Sequence, residues 1–284
     1  MNKWVVGARP RTLPAAIAPV VVATALAGES ASALPALLAL IVSLSLQVGV
    51  NYANDYSDGI RGTDNERVGP IRLTASGLAP ATSVKRAAFI SFGVGALAGL
   101  GLASLSSWWL IAVGAAAILA AWGYTGGKYP YGYLGLGELF VFVFFGLVAT
   151  VGTFYSQTTI ITFDSVLASI PMGALSCALL AINNIRDRAL DEPAGKKTVA
   201  VRLGDRKARY LFAALILISY IAPLSMGKPW VLLTLITTPI ALSIIRGVLG
   251  EAKGRELIPF LAKTGQLQLL FAIIFSISLV LSHG

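Results

Sequence analysis

The chain has 284 residues, 56% of them hydrophobic and only 12% charged, with a mean hydropathy of +0.77. These values place it among polytopic helical membrane proteins and leave no stretch polar or long enough for a separate soluble domain. One cysteine, Cys177, excludes intrachain disulfides and thiolate metal sites, and one histidine, His283, argues against zinc or haem centres.

Apolar stretches long enough to span a bilayer, about 17 to 25 residues each, recur at roughly 13–29, 34–53, 86–106, 108–126, 133–155, 163–184, 209–227, 229–249 and 264–282. They predict an all-α bundle of about nine transmembrane helices forming one membrane-embedded domain over residues 1–284. The first stretch mimics a signal peptide ending at Ala25-Leu-Ala27, but Pro14 and Pro19 interrupt it, so we read it as the first membrane helix. With the N-terminus in the cytoplasm and sides alternating at each helix, all 22 Lys and Arg residues except Lys228 fall on the cytoplasmic side. An odd helix count then puts the C-terminus outside. The net charge of +9 thus reflects orientation in the lipid bilayer, and no nucleic-acid partner is expected.

The second and sixth stretches end in acidic clusters built alike. The first reads Asn51-Tyr-Ala-Asn54-Asp55-Tyr-Ser-Asp58 and the second Asn183-Asn184-Ile-Arg-Asp187-Arg-Ala-Leu-Asp191. Asn51 and Asn183, like Asp55 and Asp187, lie 132 positions apart, which implies an internal pseudo-repeat. Carboxylates on apolar helices cost about 2.5 to 3.5 kcal/mol each at a helix centre, so two matched clusters point to use. On a helix, Asn51, Asp55 and Asp58 share a face, as do Asp187 and Asp191. If the two ends face each other, four carboxylates surround one cavity and need compensating cations. Hard oxygen ligands suit Mg²⁺, which is completed by phosphate when few carboxylates hold it. The alternative is that each Asp pairs with a neighbouring Arg, for which Arg186 and Arg188 are placed.

Between the clusters lies Tyr124-Thr-Gly-Gly-Lys128, where glycines permit close backbone approach and a lysine can act as a point charge on phosphate. Each cluster leads into a long polar loop, roughly 59–85 and 192–208. Their cations, Arg61, Arg67 and Arg72 in the first and Lys196, Lys197 and Arg202 in the second, are candidates for an anionic group. Within the membrane, Gln47, Glu138, Gln266 and Gln268 are read as facing the bundle interior.

With these elements in this order, the chain resembles the UbiA superfamily of intramembrane prenyltransferases over essentially its full length. Asn54-Asp55-Tyr-Ser-Asp58 resembles the first Asp-rich motif, Tyr124-x-x-x-Lys128 the middle one and Asp187-x-x-x-Asp191 the second. Several stretches look most like the 1,4-dihydroxy-2-naphthoate polyprenyltransferase branch: Ala8-Arg-Pro-Arg-Thr-Leu-Pro14, Asn54 through Asp64, Gly69-Pro-Ile-Arg-Leu73, Asn183-Asn-Ile-Arg-Asp187 and Lys196-Lys-Thr198 through Arg202-Leu-Gly204. Asp64, six residues past Asp58, departs from the generic spacing.

The resemblance implies a polyprenyl diphosphate and 1,4-dihydroxy-2-naphthoate as substrates, with Mg²⁺ on Asp55, Asp58, Asp187 and Asp191 and with Asp64 as a further candidate ligand. It implies catalytic roles for Tyr124 and Lys128. It makes Asn51, Asn54, Asn183, Asn184 and the loop cations substrate contacts, and leaves Arg9 or Arg11 for the naphthoate carboxylate. It also implies an integral protein of the bacterial plasma membrane. Three rivals stay open: another aromatic prenyltransferase of the superfamily, for example one acting on 4-hydroxybenzoate; a transporter, since internal repeats and buried acids also describe carriers; and a CDP-alcohol phosphotransferase. The signature of the last continues Asp55-x-x-Asp58-Gly59 with Ala-Arg, where this chain has Gly62-Thr63.

Overall fold

The computed structural model describes residues 2–63, 69 and 71–283, and among them there is no strand. Ten helical segments follow in order: α1 (Lys3–Ala8), α2 (Pro14–Leu26), α3 (Ala33–Arg61), α4 (Ala81–Leu105), α5 (Leu110–Gly123), α6 (Gly137–Thr158), α7 (Phe163–Asp191), α8 (Val199–Leu224), α9 (Pro229–Leu249) and α10 (Gly254–Leu281). Seven of these are long and apolar enough to cross a membrane, and α1 with α2, bent by 52°, make an eighth candidate. Helix α5 has 14 residues, about 21 Å at 1.5 Å per residue, short of the roughly 30 Å hydrocarbon core. By length alone, then, the described residues supply seven or eight spans rather than nine. The missing length of α5 has a local cause. Its apolar run meets Tyr124-Thr-Gly-Gly, where the chain turns and Gly127 takes a left-handed φ of 76°.

The acid-bearing helices run further than hydropathy suggests. Helix α3 continues through its polar cluster to Arg61 and stops at Gly62, whose φ of 73° lets the C-terminal carbonyls be capped. Helix α7 starts in a reciprocal cap between Thr162 and Ser165 and runs 29 residues to Asp191. Helix α8 begins at Val199, inside the predicted loop, because the Thr198 hydroxyl accepts from the Val201 N–H at 3.3 Å. Gly204, with φ 75°, breaks that helix a turn later.

Helices α3 and α4 pack as one hairpin and α7 and α8 as another, while α10 covers α2. Helix α7 is the centre of the bundle and its middle is buried on nearly every side. It meets α6 at a close crossing: a Cβ added to Gly146 would lie 2.7 Å from the Gly173 Cα. The backbone of α6 has widened turns at Phe142–Val148. The matching 29-residue helices α3 and α7 bring their clusters to one end of the bundle.

Candidate active site

A cavity of about 340 Å³ runs between α2, α3, α4, α5, α6 and α7. Asp58, Asp187 and Asp191 line one end, and Val20, Ala39 and Leu102 line the other. Along α3 its wall extends from Asp58 to Ala39, about 28 Å at 1.5 Å per residue. A polar mouth and a long apolar bore suit an amphiphile with an anionic head.

The first cluster divides its work. Asp58 faces the cavity and accepts the Tyr133 hydroxyl at 2.6 Å, the Lys196 ammonium at 3.3 Å and, as an ion pair, Arg72 at 3.7 Å. Asp55 is fully buried but does not line the cavity. Its two oxygens accept the backbone N–H groups of Leu73 and Thr74 at 2.8 and 2.9 Å, which pins the following loop to α3. Gly59 makes this possible, since a Cβ there would sit 2.6 Å from the Thr74 Cβ. Leu73, itself fully buried, wedges beside Gly7 and Tyr52. The two acids of the stripe therefore divide, Asp58 to the cavity and Asp55 to the loop.

Asn51 turns to the N-terminal segment, where its Nδ2 donates to the Ala8 carbonyl at 2.9 Å and to Thr12 Oγ1 at 3.1 Å. Gln47 donates to the same hydroxyl at 3.0 Å. That network holds the bend between α1 and α2, at which Arg9 adopts a left-handed φ of 52°. Arg9 lines the cavity, whereas Arg11 does not. Asn54 accepts from Thr125 at 2.7 Å and so ties α3 to the loop after α5.

The second cluster meets the first through one side chain. Lys196 Nζ, buried, lies 3.3 Å from Asp58 and 3.9 Å from Asp191, and so bridges the two halves of the pseudo-repeat. Asp187 is gripped at both oxygens by the adjacent Arg186, at 2.7 and 2.6 Å, the helix-end pairing weighed from sequence. Asn183 donates to the Leu179 carbonyl one turn back at 2.9 Å, and Asn184 donates to Glu138 at 3.0 Å.

The middle element contributes differently from its motif. Tyr124 lines the cavity. Lys128 is exposed, lies over the Tyr129 ring and does not line it. The central group here is Tyr133, which the sequence reading missed: its hydroxyl donates to Asp58 while Lys196 and Arg61 lie over its ring at 4.9 and 5.5 Å. Burial first, then the Asp58 charge, push the Tyr133 phenol above its ordinary range, so it stays a donor to the carboxylate. The only sequence signal was its place in the Tyr-rich turn after the glycines.

The remaining predicted cations brace the loops. Arg61 donates to the carbonyls of Thr125 and Gly127. Arg202 donates to those of Leu134 and Lys197 at 2.8 and 3.1 Å. The backbone N–H of Lys197, an exposed residue, donates to the Tyr133 carbonyl at 2.8 Å. Arg72 is buried against the cavity. Asp64 and Arg67 lie outside the described residues.

The donor chemistry fits a hard divalent cation. Asp58, Asp187, Asp191, Asn183 and Asn184 on one cavity offer oxygen and no sulfur or imidazole. Among the described residues no three acids are gathered closely enough to hold one ion by themselves, which suits Mg²⁺ held by one or two carboxylates and completed by substrate phosphates.

Residues 16–261 match the UbiA prenyltransferase family. The chain is 52% identical over 275 residues to the 1,4-dihydroxy-2-naphthoate octaprenyltransferase of Mycobacterium tuberculosis, covering 95% of this chain and 94% of that one. It is 36% identical over 294 residues to the protein of the same name in Escherichia coli, covering 99% and 96%. Among solved structures it is similar to a UbiA homologue from Aeropyrum pernix (TM-score 0.67, 15% identity, 95% and 98% covered). It is also similar to one from Archaeoglobus fulgidus bound to GPP and Mg²⁺ (TM-score 0.65, 14% identity, 98% and 99% covered). A central acid-ended helix pair, a cavity with a polar mouth and these likenesses agree: the chain belongs to the UbiA prenyltransferase family.

Proposed function

We propose that this integral membrane enzyme transfers a polyprenyl group from polyprenyl diphosphate to 1,4-dihydroxy-2-naphthoate. Diphosphate and CO₂ are released and demethylmenaquinol is formed, the reduced form of demethylmenaquinone, a step of menaquinone biosynthesis. The observation that carries the reading is the meeting of Asp58 and Asp191 at Lys196 over an apolar cavity, in a chain half identical to a protein named for this acceptor.

Asp58, Asp187 and Asp191 would hold Mg²⁺ with one or two carboxylates to an ion, and the metal would supply charge neutralisation to the diphosphate leaving group. Lys196 and Arg72, buried at the mouth, add fixed positive charge where the leaving group gains its negative charge. Departure of diphosphate leaves an allylic cation, and the electron-rich ring carbon bearing the carboxylate attacks it. CO₂ then leaves with its bonding electrons returned to the ring. No covalent nucleophile is needed, and the apolar walls keep water from the cation. Arg9, on the cavity wall, is the cation placed for the acceptor carboxylate. We place the N-terminus and the acid clusters on the cytoplasmic face of a bacterial plasma membrane, from the charge asymmetry, and read residues 1–284 as one domain.

The test is product analysis with purified protein, a polyprenyl diphosphate and Mg²⁺, offering 1,4-dihydroxy-2-naphthoate and 4-hydroxybenzoate in parallel, with and without chelator. Chelator-sensitive formation of demethylmenaquinol, read as demethylmenaquinone after oxidation in air, supports the proposal. Product from 4-hydroxybenzoate alone overturns the acceptor, and no transfer to either overturns the reaction.

A further inference from the structure

Glu138, in the first turn of α6, is an acid outside both clusters. Its carbonyl accepts the Cys177 thiol at 3.1 Å, and its Oε1 accepts the Asn184 amide at 3.0 Å. Its Oε2 is buried with no hydrogen-bond partner, an arrangement that costs stability and needs a compensating use. A carboxylate only accepts, so Asn184 must turn its nitrogen to Glu138 and its carbonyl oxygen away. Asn184 lines the cavity, three and seven residues before Asp187 and Asp191, which line it too; these spacings put all three on one face of α7.

From this we infer that Glu138 is a positioning residue: by fixing the amide of Asn184 it presents a neutral carbonyl oxygen beside the Asp187 and Asp191 carboxylates, as a further donor to the metal–diphosphate head. The inference rests on the proposed function, because the ligand is the one assigned there. Outer hydrogen bonds of this kind orient a donor, and their loss costs about 10- to 100-fold in metal affinity. An acid suits the task better than an amide because only the acid dictates which end of Asn184 faces the cavity.

The experiment uses full-length protein in detergent and Mn²⁺ as a paramagnetic stand-in for Mg²⁺. Mn²⁺ is titrated by electron paramagnetic resonance in the presence of farnesyl thiolodiphosphate, an unreactive analogue, with no turnover. Glu138→Gln retains a hydrogen bond to Asn184, so the melting temperature should stay within about 2 °C of wild type. The introduced amide can donate to the Asn184 oxygen and turn it from the cavity, so Mn²⁺ affinity should fall about tenfold or more. Adding Asn184→Asp restores a pure acceptor that can take that donor on one oxygen and show the other to the cavity. The double variant should therefore recover to within a few-fold of wild type.

Wild-type affinity in Glu138→Gln overturns the inference. So does a weakening that tracks a lowered melting temperature, or a double variant no better than the single one. Failure of the wild type itself to bind Mn²⁺ with the analogue overturns the proposed function and takes this inference with it.

Discussion

Replacing Asp55 with Asn separates the anchor seen in the structure from the metal ligand expected from the motif. The change keeps size and shape, and it retains one oxygen for one of the two N–H groups, those of buried Leu73 and half-buried Thr74. The other N–H then faces an NH₂ group, donor against donor, at a position with no access to water. A hydrogen bond to a charged partner contributes about 1.5–3 kcal/mol, and an unsatisfied buried donor costs about 1–3 kcal/mol. These overlap, so we take about 2–4 kcal/mol for the substitution. If the loop opens locally, exchange of the Leu73 and Thr74 amides should accelerate about 30-fold or more, since each 1.4 kcal/mol is tenfold. The neighbouring Arg72 should leave Asp58, raising KM for the prenyl diphosphate. Amide exchange by mass spectrometry, beside steady-state kinetics, reads both effects. Unchanged protection at Leu73 and Thr74 together with lost activity would refute the anchor and return Asp55 to the metal.

Other substitutions probe the rest of the account. Lys196→Ala should lower kcat/KM by about 100-fold, because its partners Asp58 and Asp191 lose the cation they share in a buried site; Lys128→Ala, at an exposed position, should change it less than about threefold. Gly146→Leu should destabilise the bundle by about 1–3 kcal/mol or more, read as detergent-resistant folding, since even a Cβ at that crossing falls 2.7 Å from Gly173. Tyr133 is neutral in the folded protein and its phenol is pushed upward. Its stabilisation is complete below the ordinary phenol value of about 10 and is lost as pH rises from there through the folded value. The melting temperature of the wild type should therefore fall more steeply above about pH 10 than that of Tyr133→Phe, and parallel curves would contradict the assignment.

The spans were legible because lipid imposes about 20 apolar residues on each helix, and the 132-residue spacing of Asn51 and Asn183 announced the repeat before any coordinates. Facing the two helix ends put Asp55, Asp58, Asp187 and Asp191 around one cavity, and the last three line it while Asp55 does not. The division of labour was not legible, because it depends on partners from other elements. Asp55 and Asp58 differ by less than a turn, yet a returning loop takes the first and leaves the second to the cavity. Lys128 matched its motif and points to solvent. Lys196 was indistinguishable from its neighbour Lys197 in sequence, yet reaches Asp58 across 138 positions. Tyr133 carried no motif at all, since a tyrosine in a turn is ordinary until its hydroxyl is found on a carboxylate. The shortness of α5 was hidden for a related reason: hydropathy averages over Tyr124-Thr-Gly-Gly and does not register the turn.

The central claim is that two halves of the chain build one diphosphate site. A double-mutant cycle on kcat/KM for the prenyl diphosphate, with Asp58→Asn, Asp191→Asn and the pair, tests it most directly. Because both carboxylates share Lys196, the first loss already spoils the geometry that the second serves. The account predicts a coupling of at least about 1 kcal/mol, with the double variant little worse than the poorer single one. Losses that simply add, to within about 0.3–0.5 kcal/mol, would show two independent sites and contradict it.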